Sequence, residues 1–350
     1  MSSVSKKLLQ SQSVSSVSSS ATVGVTGTSS KLTTIDITNP ASMSVLDTDQ
    51  SGLESGVFVA AVDGDQLYTA AQNTDSVNSY DLSDPSAISF SDALTDNTNL
   101  NGAYGIAIDS GRGLLLVGAH VVGTDTLNAI DISDPSSLVL RDSLKDAVDL
   151  DFPYGIALDA SNEVVYVTSV TDDSLTAVDY SDPDNLAIIS KFVDSDMDGA
   201  RDVALDLANS RAYVCSNLED SITCVDISNP ASMSKVGSLI DSTDIDQPYA
   251  IKLDLTRSVA FMTAIGGDNF VAVDISDPTN MTVLDSISHS SINNPRGFDI
   301  DLVGQTAFLA NLSSNFITAV DISNTSSMTI AGTLESFSDI GNGSFFKILK

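Results

Sequence analysis

Five aromatic residues and two arginines recur at one position of a repeating pattern: Phe58, Tyr104, Tyr154, Arg201, Tyr249, Arg296 and Phe345. Six of them stand five residues before an aspartate that closes an apolar run (Asp63, Asp109, Asp159, Asp206, Asp254, Asp301), and Lys350 takes that place after Phe345. Aromatic faces stack on sugar rings and guanidinium groups hydrogen-bond carboxylates or hydroxyls, so the set is a candidate ligand-binding ring for a glycan or an anion. The same side chains would also serve to fill a channel by packing on one another.

A second candidate is acidic. In "DSDMDGARD", Asp194, Asp196, Asp198 and Asp202 occupy positions 1, 3, 5 and 9 of an EF-hand-like loop with Gly199 at position 6, which makes calcium the candidate ion. Leu205 stands where such a loop has its bidentate glutamate, and a solvated aspartate turn explains the same letters. The only cysteines, Cys215 and Cys224, flank "SNLEDSIT". A hairpin turning about Glu219 and Asp220 would set them opposite one another, within reach of a disulfide; two reduced, buried thiols are the alternative. The two histidines, His120 and His289, fall at non-equivalent positions, so the sequence offers no multi-histidine metal site, no conventional triad and no assigned catalytic residue.

The elements that must position these residues follow from another repeat. "VDISDP" at 273–278 has near-copies whose aspartates are Asp36, Asp81, Asp131, Asp179, Asp226, Asp274 and Asp321, spaced 45 to 50 residues apart. A fixed period of that length marks a repeat architecture. Within residues 152–192, four runs rich in β-branched residues are separated by Asp, Asn, Ser and Pro clusters, which predicts a four-stranded antiparallel meander. Six such units are complete. The seventh is split: "TVGVTGTSSKLTTIDITNPASMSVLD" supplies its second to fourth strands and "GSFFKILK" its first. Pairing the two would close an all-β, seven-bladed β-propeller over residues 22–350 and remove its open edges. The motif itself would end each third strand and begin its turn, with Asp and Ser accepting backbone hydrogen bonds.

Residues 1–21, "MSSVSKKLLQSQSVSSVSSSA", have an apolar core of two residues, so they predict a flexible serine-rich tail rather than a secretory signal. No stretch reaches membrane-spanning length. With 47 acidic and 15 basic residues and a formal charge of −32, the chain is unsuited to nucleic acid. Glutamate occurs only at Glu54, Glu163, Glu219 and Glu335, and a bias to aspartate favours turns over helices.

"VDISNPASMSKVGSL" (225–239) resembles the LVIVD-repeat propellers, and "VYVTSVTDDSLTAVD" (165–179) is similar to the related YVTN repeats. LVIVD units usually carry a second proline three residues after the first, where this chain has Met43, Ile88, Leu138, Leu186, Met233, Met281 and Met328. The resemblance implies a binding or surface module. "SKKLLQS" is similar to the starts of marine tailed-phage structural proteins. Together these lead to the expectation of a non-enzymatic module on a virion or extracellular surface. Its expected partners are virion or cell-surface proteins through the tail, a glycan or protein at the channel mouth, and further copies of itself. A polysaccharide-active enzyme at the channel mouth and a purely architectural subunit are the alternatives.

Overall fold

The computed structural model describes residues 22–28, 30–50, 57–120, 125–340 and 343–349, so the expected tail lies outside them. Seven four-stranded antiparallel sheets form the chain, and their innermost strands touch one another all the way round. This is the seven-bladed propeller that the repeat predicts. Blade 1 is the split one: Phe345–Leu349 pairs antiparallel with Val23–Gly27, setting Lys347 opposite Val25. Blades 2 to 7 are continuous and begin with the inner strands Val57–Asp63, Ala103–Asp109, Pro153–Asp159, Ala200–Asp206, Pro248–Asp254 and Pro295–Asp301.

Burial explains the sequence pattern of each strand. The second strands are covered on both faces by neighbouring blades, so Leu114–Ala119, Val164–Ser169 and Val259–Ala264 are buried along their whole length and read as unbroken apolar or small runs. Seven apolar clusters hold the ring, each made by two adjacent blades. In the cluster that joins blade 7 to the closing strand, Phe346 is 1% exposed and stacks on Phe308 with ring centroids 5.5 Å apart. Gly24 makes room for that ring, since a Cβ there would overlap it.

All seven motif aspartates accept the backbone N–H two residues on, as Asp81 does from Ser83 at 2.8 Å and Asp226 from Ser228 at 2.9 Å. The second acceptor of the turn is the residue before the proline position, which Thr325 occupies in the last copy, rather than the expected serine: Asp84, Asp134, Asp182 and Asp277, or Asn39, Asn229 and Asn324, each takes a further backbone N–H. Two consecutive Asx turns therefore reverse the chain between the third and outer strands.

The departure from the LVIVD pattern has a physical reason. Asp47, Asp92, Asp142 and Asp285 occupy equivalent places on outer strands and accept N–H bonds from Ile88, Leu138, Leu186 and Met328 of the following blade, at 2.6–2.8 Å. A proline at those four positions would have no N–H to give. The equivalent residues in blades 5 and 7 are Gly237 and Gly332, where the next blade approaches so closely that a Cβ would overlap the Pro278 and Pro40 carbonyl oxygens.

The Asp142→Ala variant leaves the half-buried Leu186 N–H without its acceptor and is expected to lose about 1–3 kcal/mol of stability. Urea unfolding followed by circular dichroism measures the loss, and an unchanged midpoint would remove the inter-blade role of this aspartate.

Candidate functional site

The structure gathers five of the seven ring residues at one mouth of the central channel. Tyr104, Tyr154 and Tyr249 form a single buried cluster, each 6% exposed. Ring centroids lie 4.2 Å apart for Tyr104 and Tyr154 and 5.7 Å apart for Tyr154 and Tyr249. The three hydroxyls form a chain: Tyr104 and Tyr249 meet at 3.1 Å, and Tyr154 donates to Tyr249. Arg201 stacks its guanidinium over the Tyr154 and Tyr249 rings, 4.2 and 4.7 Å from their centroids. Arg296 lies 4.9 Å from the Tyr249 centroid, and one of its terminal nitrogens donates to the Tyr249 hydroxyl at 3.1 Å. Burial pushes the Tyr104 and Tyr154 phenols well above their ordinary range, so both remain neutral donors.

Phe345 is not part of this cluster. Its ring packs with Val25, Ala60, Leu67 and Tyr80 between blades 1 and 2, because the inner strand of blade 1 turns that side chain towards Gly27. The side chain of Phe58 lies outside the described groups.

Beneath the tyrosines is a cavity of about 210 Å³ lined by all seven blades. Its two sides differ. Ala60, Gly105, Ile106, Gly155 and Ile156, on blades 2 to 4, make a small, apolar wall. Asp202, Lys252 and Lys347, from blades 5, 6 and 1, face it from the other side, with Asp299 of blade 7 close behind. The aspartates solve a problem peculiar to inner strands, whose channel edge has no neighbouring strand. Asp202 accepts from the Val203 and Ile251 amides at 2.9 and 3.0 Å, and Asp299 from the Ile300 and Ile348 amides, both at 3.0 Å. Lys252 pairs with Asp299 at 3.3 Å. Of these four residues only Asp202 was singled out in the sequence, and there as a calcium ligand rather than a channel residue. The available signal was a charge inside an apolar inner strand: Lys252 and Asp299 stand where blades 2 to 5 have Ala61, Ala107, Ala157 and Ala204.

The four aspartates of the calcium candidate go three ways. Asp194 and Asp196 close on the Lys235 ammonium, with Ser238 donating to Asp196. Asp198 lies beside Asp173, and Asp202 enters the channel. The loop is instead a short 3-10 turn, Ser195–Met197, capped by Asp194. A lysine already supplies the positive charge that the spacing suggested for an ion.

The cysteines are also displaced from the expected pairing. Cys215 stands opposite Ile222 and Cys224 opposite Tyr213, and both thiols are free and buried. The turn contains four residues rather than two, because the Leu218 and Glu219 amides bond to the Asp198 carbonyl at 3.1 and 3.2 Å and Asp220 adopts a left-handed φ of 55°. Residues two apart in register are diagonal neighbours at about 7–8 Å, beyond disulfide reach. Burial pushes the Cys224 thiol up to about 11 and that of Cys215 higher still.

One further group lies at the same mouth. His120 meets Asp125 at 2.6 Å through Nδ1, and Asp125 is 2% exposed. With Asp151 they bring three candidate ligand atoms within 4.8 Å of one another, the one such group among the described residues. Burial and the charges of Asp125 and Asp172 push the Asp151 carboxyl upward. The His120 ring lies 4.2 Å from that of Phe152, tilted by 46°, and Phe152 in turn meets Tyr104 and Tyr154 edge-on at 6.3 and 6.1 Å. Elsewhere the aspartate of this turn caps the loop entering the next blade, as Asp75, Asp173, Asp220 and Asp268 do for Gly102, Gly199, Gln247 and Asn294. In blade 3 that carboxylate holds an imidazole instead. The sequence carried a trace of this in the longest motif interval, the 50 residues from Asp81 to Asp131.

A closed seven-bladed ring with a polar central cavity under an arginine–tyrosine mouth defines the class. The chain belongs to the lactonase, 7-bladed beta-propeller family, whose model matches residues 15–338. The matching model is not that of the LVIVD or YVTN repeats. A putative 6-phosphogluconolactonase from Bacteroides fragilis superposes with a TM-score of 0.78 at 12% identity, covering 96% of this chain and 99% of that one. Another from Bacteroides uniformis gives 0.77 at 12%, covering 93% and 98%. The periplasmic gluconolactonase of Pseudomonas aeruginosa gives 0.75 at 14%, covering 94% and 99%. At such identities these likenesses are of fold. No curated protein matches the sequence. The expectations of a non-enzymatic surface module and of a virion protein are overturned by the lactonase-family match, which points to hydrolytic chemistry.

Titration of thiols in the unfolded protein, without reductant, is expected to find two, and in the folded protein none. A chelator is expected to leave the melting temperature unchanged in both wild type and Asp196→Ala, while that variant loses about 1–2 kcal/mol from its broken bonds to Lys235 and Ser238.

Proposed function

We propose that the protein hydrolyses small cyclic esters at the arginine–tyrosine mouth of the channel. The observation that carries this reading is the convergence of two guanidinium groups and the Tyr249 hydroxyl over the central cavity of a lactonase-family propeller. Opening a lactone requires water to add to the carbonyl carbon, which puts negative charge on the carbonyl oxygen. Fixed donors in a water-poor site stabilise that charge. Arg296 and Tyr249 are such donors, and Arg201 adds a second positive charge 4.7 Å from the Tyr249 ring centroid.

The attacking water must lose a proton. His120 is the imidazole that reaches the tyrosine cluster through Phe152, and the buried Asp125 at its Nδ1 fixes that nitrogen as the donor, leaving Nε2 to accept. Collapse of the adduct breaks the ring C–O bond, the departing oxygen takes up the proton, and the product is a hydroxy acid. A cavity of about 210 Å³ suits a single sugar-sized ring rather than a polymer. Proteins of the same fold described as a putative 6-phosphogluconolactonase and a periplasmic gluconolactonase support the substrate class.

The purified protein is expected to open aldonolactones such as glucono-δ-lactone faster than buffer does, measured by pH-stat titration. Arg296→Ala is expected to lower kcat/KM about 100-fold, within the usual effect of removing one oxyanion donor. His120→Gln is expected to lower kcat with little change in KM. Rates indistinguishable from spontaneous opening across an aldonolactone panel would sink the proposal.

A further inference from the structure

The cations of this chain are distributed unevenly. Arg112, Arg141, Lys191, Arg211, Lys235, Lys252 and Arg257 each pair with at least one carboxylate. Three on inner strands do not: Arg201, Arg296 and Lys347 make no ion pair among the described residues, and Arg201 also has a buried Nε without a partner. In a protein with a formal charge of −32, Arg296 and Lys347 line one small channel and Arg201 stands over the tyrosines at its mouth. Lys347 is the most isolated of them. Its ammonium has neither an ion pair nor a hydrogen bond among the described residues, although the side chain is half-buried in the channel wall.

Both nearby carboxylates are already engaged. Asp299 pairs with Lys252 and accepts two amides, and Asp202 accepts two amides. Burying a charge without a partner is costly, and it is relieved either by losing the proton or by gaining a counter-ion. The cavity facing Lys347 has room for that counter-ion, and its opposite wall of Gly105, Ile106, Gly155 and Ile156 is apolar. A halide would use only the charge. A short carbon skeleton bearing one carboxylate would use both walls.

We infer that the channel is a binding site for a small monocarboxylate, with Lys347 as its counter-charge and the apolar wall of blades 2 to 4 receiving its carbon chain. This goes beyond ester hydrolysis at the mouth and does not depend on it: the site can hold a carboxylate whether or not the protein turns over a lactone. If it does, the acid it releases is of the class this site takes.

Protonation gives the site a pH signature. The neighbouring Lys252 charge, followed by burial, holds the Lys347 ammonium down at about 8, while Asp299 and Asp202 pull the other way. Lys252, raised by Asp299, keeps its charge across the neutral range. Burial pushes Asp202 upward, so any loss of its proton on raising the pH would also oppose an anion. Arg296 and the Tyr154 and Tyr249 side chains complete the polar lining, and blades 2 to 4 contribute no charged residue to it. Carboxylate affinity is therefore highest below pH 8 and falls as Lys347 deprotonates.

Calorimetric titration with sodium gluconate at constant ionic strength, together with thermal melts, tests the inference on the intact chain. Gluconate is expected to bind and raise the melting temperature at pH 6.5, with affinity at least about tenfold weaker at pH 9.5. Lys347→Met is expected to weaken binding about tenfold or more, and Lys347→Arg to keep it within about threefold. The melting temperature of each variant without ligand distinguishes a lost site from a lost fold. Equal stabilisation by chloride, equal gluconate affinity in a folded Lys347→Met, or no gluconate binding to the wild type would each overturn the inference. Gluconate binding without lactone turnover would leave it standing while refuting the hydrolytic proposal.

Discussion

The hydrogen bond from a backbone N–H to an aspartate carboxylate is the interaction on which this propeller depends. It closes every turn between third and outer strands, caps the loops that enter four of the inner strands, joins four pairs of neighbouring blades, and covers the exposed channel edge at Asp202 and Asp299. Aspartate is suited to all four tasks because its short side chain places two acceptor oxygens close to its own backbone. Glutamate would overshoot the two-residue turn. The acidity of the chain is thus largely a structural property, with many carboxylates stabilised in their charged form by the amides they accept. Protonating them at low pH would weaken turns, loop caps and blade contacts together.

Against that background the central channel is a local reversal of charge. Its wall is divided between small apolar residues on blades 2 to 4 and alternating Asp202, Lys252, Asp299 and Lys347 on the rest of the ring. A repeat protein begins with equivalent positions, and function requires that they stop being equivalent. Here the difference arises in the few side chains that depart from alanine or glycine on four consecutive inner strands. The turns between third and outer strands, by contrast, keep the repeat nearly intact because each copy must make the same two Asx turns.

What could be read from the sequence follows the same division. Period, strand number, the split blade and its closure were legible because turn chemistry and β-branched runs repeat seven times, so each copy corroborates the others. The arginine–tyrosine ring was legible as a set of equivalent positions, although Phe345 turned into the core. The cysteine register was not, because it depends on two amides of the turn bonding to Asp198, a contact outside the hairpin. Nor was the fate of the "DSDMDGARD" carboxylates, which rests on Lys235 reaching back from the outer strand of the same blade. Both failures came from contacts between segments that local spacing does not encode. His120 and the channel charges are exceptions to the repeat, and only an irregular interval and a charge in an apolar run signalled them.

The strand that completes blade 1 is synthesised after every other strand of the ring, and it also carries Lys347. Until Phe345–Leu349 docks, the growing chain is an open arc with blade 7 exposed on one side and Val23–Gly27 waiting on the other. The channel then lacks both a wall and its isolated ammonium. Ring closure and completion of the charged lumen are therefore a single event, so a chain that has failed to close cannot present the same interior.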